Sequence, residues 1–344
     1  MKHLKRILIW ILVSLSLQLL GLFYINNYYL SNNVSDIKAK KVENKKPEPK
    51  KTIDISVPQN AKHVNLSYDG KYLSYYDGDI LDVVNTDNGE IQKVNFEDGV
   101  KISFYRWLND RNRMLIAEKA PTKNNGITLK LSYYDVDRKE KVEIKDLASI
   151  DQKSEVVDIK ASTLTNVKYI KVAHSGNRSS IYWLNIMEDM RKIETKSYLI
   201  GNIEVIPHED KLVYEDLTYN KIHVTNVKNP ITITGANKLS LVSVDSEDVI
   251  YLAQMDGDKV KKIHYGTLKD STEKWSVSEI NSETVTLSDV YVSLDGKIFI
   301  NDNLKGIVKE LSSGKEVSYE GKFLHMYNGG IASINGGKLI KTKF

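Results

Sequence analysis

There is no cysteine in the 344 residues. That excludes disulfides, thiolate metal sites, a cysteine nucleophile and a lipidated N-terminal cysteine. Proline is scarce at six residues, and nineteen glycines follow no fixed period, so neither collagen-like nor proline-rich disorder describes the whole chain. No G-x-S-x-G elbow and no H-E-x-x-H helix occurs. The seven histidines are scattered and form no short His-x-His pair, so zinc chemistry has no footing and no cofactor is expected. His223 and His264 occupy similar third-strand positions, which fits polar strand residues better than a shared metal site.

What is present is unevenly distributed. Residues 1–30 carry Lys2, Lys5 and Arg6 and no acid, a net of +3. Residues 31–51 hold seven lysines against Asp36, Glu43 and Glu48, a net of +4. The other 293 residues hold 39 basic and 42 acidic groups, a net of −3. A body so balanced has no bulk attraction for nucleic acid, and no nucleic-acid partner is expected.

Residues 7–25, ILIWILVSLSLQLLGLFYI, contain no charge. As a helix they extend roughly 28 Å, about one hydrocarbon core. Basic residues precede the run, and the next acid or base is Asp36, so the positive-inside rule places the N-terminus in the cytoplasm and the body outside. Trp10 at one end and Tyr24, Tyr28 and Tyr29 at the other suit an aromatic belt. The run exceeds a usual signal-peptide core and leaves through GLFYINNYYL without a small-x-small site, so an uncleaved anchor is expected over a cleaved leader. Ser14 and Gln18 share a helix face; they either join two anchors or are isolated polar residues tolerated in a long apolar run. Residues 31–51, SNNVSDIKAKKVENKKPEPKK, have too few large apolar side chains to offset chain entropy, and a disordered stalk is expected. It would reach about 70 Å extended and about 25 Å as a coil.

From residue 52 the period is two. ILDVVN, KLVYED, KIHVTNV, DVIYLAQ and KIFIND are short, rich in β-formers and bounded by Asp, Asn, Gly or Ser. Residues 63–96, HVNLSYDGKYLSYYDGDILDVVNTDNGEIQKVNF, read as four strands joined by DG, DG and NG turns, one propeller blade. The unit recurs in degraded form. Its first turns fall near Asp69, Asp110, Asn166, Glu209, Glu247 and Asp295, roughly 40 to 55 residues apart. In the third unit, 154–197, Trp183, Met187, Met190 and Ile193 also fit helical spacing, so a short helix competes there. Residues 323–344 give three strands around two NGG turns, one short of a blade; TIDISVP, residues 52–58, is a lone strand. Pairing the two closes the ring and removes exposed edges. The reading is an all-β propeller over 52–344, seven blades with six or eight as alternatives, behind one transmembrane helix in 1–30.

The stretch SYDGKYLSYYDGDILDVVNTDNGEIQKV resembles the repeat of TolB-type propellers and of the N-terminal propeller of dipeptidyl peptidase IV-like proteins. VSLDGKIFI and YYDVDRKEKVEI repeat parts of it. The resemblance implies a propeller that serves as a binding or gating surface and transfers no catalytic residue. The chain ends at Phe344 without the following α/β domain, so a propeller without the hydrolase is expected.

Candidate chemistry is correspondingly thin. Asp77, Asp79 and Asp82 lack the spaced oxygen ligands and terminal Glu of a calcium loop and read as a hairpin turn. Of the pairs Tyr75/Tyr76 and Tyr133/Tyr134, one ring each is expected in the core, the other against a neighbouring blade or on a binding surface. Trp107, beside a first-strand turn, and Asp110, Glu209 and Glu247 at such turns are the candidate binding residues, and no catalytic residue is assigned. The expected function is a binding or scaffold module of the cell envelope with a protein or cell-wall glycan partner. The alternative is an envelope lyase or hydrolase whose carboxylates meet on the propeller axis.

Overall fold

The computed structural model describes residues 2–25, 54–122, 126–150 and 152–344. The expected stalk at 31–51, Tyr28, Tyr29, and Thr52 and Ile53 of the lone strand lie outside the described residues. Two units are distinct, 1–51 and 52–344. In the first, a helix α1 runs Lys2–Tyr24. Lys5–Tyr24 is long and apolar enough to cross a membrane, and among the described residues none of it is buried.

The second unit is a seven-bladed β-propeller. Blade 1 is β1 (Lys62–Leu66), β2 (Tyr72–Asp77), β3 (Ile80–Asn85) and β4 (Ile91–Val94). Blade 2 is β5 (Lys101–Trp107), β6 (Arg113–Pro121), β7 (Ile127–Asp135) and β8 (Glu140–Ile150). Blade 3 is β9 (Glu155–Ser162), β10 (Val167–His174), β11 (Arg178–Leu184) and β12 (Met190–Lys192). Blade 4 has three strands, β13 (Ile200–Ile206), β14 (Lys211–Asp216) and β15 (Lys221–Val224), and a single bridge from Ile231 to Ile222 on its outer edge. Blade 5 is β16 (Leu239–Val244), β17 (Ile250–Asp256), β18 (Lys259–Gly266) and β19 (Ser276–Glu279). Blade 6 is β20 (Val290–Val292), β21 (Ile298–Asp302), β22 (Ile307–Glu310) and β23 (Glu316–Ser318). Blade 7 is β24 (Lys322–Tyr327), β25 (Gly330–Asn335) and β26 (Lys338–Lys343). On the far side of β26, Ser56 bridges Lys338. There the Val57 amide donates to the Gly337 carbonyl at 2.8 Å, and the Leu339 amide donates to the Ile55 carbonyl at 2.9 Å.

The third unit contains no helix. Trp183 lies in β11 and Met190 in β12, and Met187 stands exposed in the turn between them. The helical spacing there is a coincidence of two strands and a turn. Strand pairing with β10 decides the conformation, as tertiary context often overrides local pattern.

The core is not one mass but seven seams. Each hydrophobic cluster joins two successive blades, from Tyr72 and Trp107 between blades 1 and 2 round to Leu339 and Leu66 between blades 7 and 1. Ile55 and Val57 belong to that last seam. Seven seams for seven sheets leave no uncovered sheet face. This also explains the tyrosine pair of β2, where Tyr75 and Tyr76 are both buried, because each face of the strand meets a different blade. In β7, Tyr134 is buried and Tyr133 only partly so.

Each blade is an antiparallel meander entered on its innermost strand. The turns between first and second strands, and between third and fourth, therefore sit at one end of the wheel, here called the near face. The turns between second and third strands and the links from blade to blade sit at the other, the far face. First strands of successive blades lie side by side around the axis, as β5 does with β9, β9 with β13 and β13 with β16.

Candidate functional site

Side chains on the near-face turns tie each blade to the next. Asn112 of blade 2 donates its amide to Asp69 of blade 1 at 3.1 Å. Asp110 of blade 2 hydrogen-bonds the Thr163 side chain of blade 3. Ser162 donates to the Pro207 carbonyl of blade 4 at 2.6 Å. The His208 amide donates to Asp248 of blade 5 at 3.0 Å, with the imidazole Nδ1 3.1 Å from the same oxygen. Ser246 reaches the Leu294 carbonyl of blade 6 through its amide and its hydroxyl. Across the closure, the Asn328 amide donates to the Tyr68 carbonyl at 2.8 Å. The ring edge of Tyr327 also lies where a Cβ on Gly70 would stand, 2.7 Å from it, and Gly70 has φ +68°. No other residue meets both demands there. Between blades 6 and 7 the contact is apolar, with Tyr291 against Phe323 at 5.1 Å.

Two of the four sequence-level candidates, Asp110 and Trp107, belong to this framework. Asp110 is held by Arg111 at 2.7 Å and by Thr163, and these bonds lower its proton affinity against an opposing desolvation. Glu209 pairs with Lys211 in its own turn at 2.5 Å. Trp107 is buried in the seam of blades 1 and 2; its indole N–H donates to the Ser74 hydroxyl at 2.7 Å and its ring stacks on Tyr72. Glu247 is exposed on the blade 5 turn, where its amide, not its carboxylate, is bonded, to Asp245 at 2.9 Å. The four residues come from three blades and share a face, but no described contact brings any two of them together.

The axis carries a different set, which strand-by-strand reading missed. Arg106 of β5 meets Asp158 of β9 at 2.6 Å. Lys160, two residues on and on the same side of β9, reaches Glu204 of β13 at 2.5 Å and Asp158 at 4.0 Å. Burial raises the proton affinity of Glu204, and the Lys160 ammonium opposes that rise. Lys171 of β10 donates to the Gly201 carbonyl at 2.7 Å, and burial lowers its pKa. Two carboxylates and two cations thus lie in one partly sheltered row on three inner strands. By contrast, the inner strands of blades 5 and 6, LSLVSV and VYV, carry no Asp, Glu, Lys, Arg or His. The sequence signal was available as charged residues at alternate positions inside apolar strands, but their partners lie 52 residues away for Arg106–Asp158 and 44 for Lys160–Glu204.

On the far face, one corner is apolar and open. Tyr198 and Leu199 come from the link between blades 3 and 4, and Leu217 and Tyr219 from the β14–β15 turn. Tyr198 and Tyr219 are each 66% exposed, and Leu199 and Leu217 are 37% and 45% exposed. The Leu217 amide donates to the Leu199 carbonyl at 2.9 Å, which holds the two segments together. Asp216 anchors the turn by accepting from the Thr218 and Tyr219 amides and from the Ser197 hydroxyl. Among the described residues, no group of three or more His, Asp or Glu is placed to hold a metal.

No protein-family model matches the chain, and no curated protein matches it in sequence. Solved structures do resemble it in shape. A virginiamycin B lyase from Staphylococcus aureus aligns with a TM-score of 0.52 at 12% identity, over 85% of this chain and 98% of that one. The WD40 domain of SCAP from fission yeast aligns at 0.47 and 12% identity, over 82% and 84%. Porphyromonas gingivalis dipeptidyl peptidase 4 aligns at 0.47 and 12% identity, over 75% of this chain and 45% of that one. At these identities the likeness is one of fold.

Proposed function

We propose that this chain is a membrane-anchored, extracytoplasmic β-propeller that serves the cell envelope as a binding or scaffold module for a protein or cell-wall glycan. The observation that carries the reading is the axial row. A hydrolytic pair needs one carboxylate free to give a proton and another free to attack or activate water. Here Asp158 and Glu204 share the Lys160 ammonium, and Asp158 also holds Arg106. Such a row braces three blades. The open corner of Tyr198, Leu199, Leu217 and Tyr219 supplies what a binding face needs, rigid aromatic area on a fixed scaffold. The apolar helix and the basic residues Lys2, Lys5 and Arg6 directly before it support the anchor and the orientation. The DGK turns at Asp69–Lys71 and Asp295–Lys297 favour kinship with TolB-type repeats.

The test is crosslinking in intact cells, followed by identification of what the chain holds. Y198A/Y219A is expected to lose that partner, while E204Q keeps it. A second reading, an axial lyase or hydrolase, draws on the raised proton affinity of Glu204, the property of a general acid. Cleavage of cell-wall glycan or peptide by the purified chain, abolished by E204Q, would establish that reading and sink the scaffold.

A further inference from the structure

The helix α1 carries a stripe unlike the rest of its surface. Ile7, Ile11, Ser14, Gln18, Gly21 and Ile25 fall at alternating spacings of four and three residues. That is the seam of a left-handed helix pair. The stripe holds the helix's one glutamine and its one glycine, while the flanking positions are mostly leucine. Among the described residues, every side chain from Lys5 to Ile25 is exposed. Among the described residues, nothing lies within 4 Å of a Cβ built on Gly21. A glycine inside a helix costs about 1 kcal/mol relative to alanine. In lipid it is favoured where a second helix must approach closely.

Gln18 sharpens the point. It lies seven residues from Ile25, about 10 Å along the axis from the nearer end of the span. A glutamine side chain cannot cover that depth to reach water. Its amide carries two donors and an acceptor, and lipid answers none of them. The partner that matches a donor–acceptor amide at one depth is the same amide at the same depth.

We propose that α1 pairs with a second copy of itself, in parallel, along Ser14, Gln18 and Gly21, with the two Gln18 amides bonded to each other across the seam. This rests on the membrane reading above. Two copies inserted in one orientation put Gln18 opposite Gln18 and the small residues Ser14 and Gly21 opposite their own equivalents. The two-fold symmetry makes the surface self-complementary.

The chain's lack of cysteine makes the test clean, because one introduced thiol reports alone. Full-length S14C and S16C variants are expressed in native membranes and oxidised. Ser16 has similar depth but lies off the stripe. The expected result is a disulfide product of twice the chain mass from S14C and little from S16C. Adding Q18L to S14C is expected to reduce the product roughly three- to ten-fold. Equal products from S14C and S16C, no product from S14C, or a product of any other mass overturns the pairing. Alkaline extraction separates the two failures. If the chain leaves the membrane fraction, the anchor reading falls and the pairing with it. If it stays and S14C does not couple, the pairing alone is wrong.

Discussion

His325 on the inner strand of blade 7 accepts a hydrogen bond from the Leu66 amide of blade 1 at 3.1 Å, through Nε2. The bond spans the join between the last and first blades and requires an imidazole unprotonated at Nε2. Burial holds the His325 pKa down at about 4, against 6.5 for a free imidazole. Above pH 6.5 neither folded nor unfolded chain protonates this site, and its contribution is fully present. As pH falls from 6.5 toward 4, the unfolded chain takes up the proton first and stability drains away, to a limit on the order of 3 kcal/mol. H325Q keeps an acceptor and cannot titrate. Thermal unfolding followed between pH 4 and 7 is expected to show a smaller fall for H325Q than for the unaltered chain. Parallel curves would dissociate His325 from the acid sensitivity.

The join also depends on the short segment before blade 1. Ile55 is 5% exposed and Val57 8%, and both pack in the seam of blades 7 and 1. I55A is expected to cost roughly 2–4 kcal/mol, the range for emptying a buried aliphatic site. V57P removes the donor to Gly337 and is expected to destabilise as well. Denaturant unfolding of the full chain measures both. If I55A shifts the midpoint no more than a surface substitution such as K343A, the segment is not part of the ring's closure.

Blade boundaries were legible because they are written in turn chemistry. Gly70 at φ +68° and Asn166 at φ +55° sit in the first-strand turns expected near Asp69 and Asn166. The two NGG turns of blade 7 were equally open. The roles of Trp107 and Asp110 were not, because whether a residue near a turn faces solvent or the next blade depends on where that blade lies. Trp107 answers to Ser74 thirty-three residues away. The axial row was hidden for the same reason, since Arg106, Asp158 and Glu204 come from three blades. The far-face corner was harder still, since Tyr198 sits in the link between blades 3 and 4 and meets the β14–β15 turn of Tyr219 only once the two blades are placed side by side.

Glu215 in β14 stands in for a missing strand bond. Its carboxylate accepts the Asn202 amide at 2.7 Å and the Leu241 amide of the next blade at 2.5 Å. A Cβ on Gly201 would run into that side chain. G201A is expected to displace Glu215 and destabilise by roughly 1–3 kcal/mol, the range for overpacking. E215A leaves two backbone donors unmet, each worth about 1–3 kcal/mol, and is expected to cost more than E215Q, which keeps one acceptor. Equal midpoints for E215A and E215Q in urea would show that the carboxylate carries no such load.

Lys160 is expected to matter to the fold through Glu204. Removing the cation leaves the Glu204 carboxylate desolvated with its nearest counter-charge gone, a change worth roughly 3–5 kcal/mol at neutral pH. The sign with pH follows from the direction of the shift. The Glu204 pKa is already raised above its ordinary 4.5 in the folded chain. Its protonated form therefore favours folding below 4.5, and that advantage disappears as pH rises through the folded value. In K160A the folded value climbs further, so the instability should grow with pH and recede on acidification. E204Q removes the charge that Lys160 serves. The double variant K160A/E204Q is therefore expected to be more stable than K160A alone at pH 7.5. A double-mutant cycle at pH 5 and pH 7.5 reads the coupling directly. Additive losses at both pH values would mean that Lys160 and Glu204 act independently, and the axial row would lose its standing as a brace between blades 3 and 4.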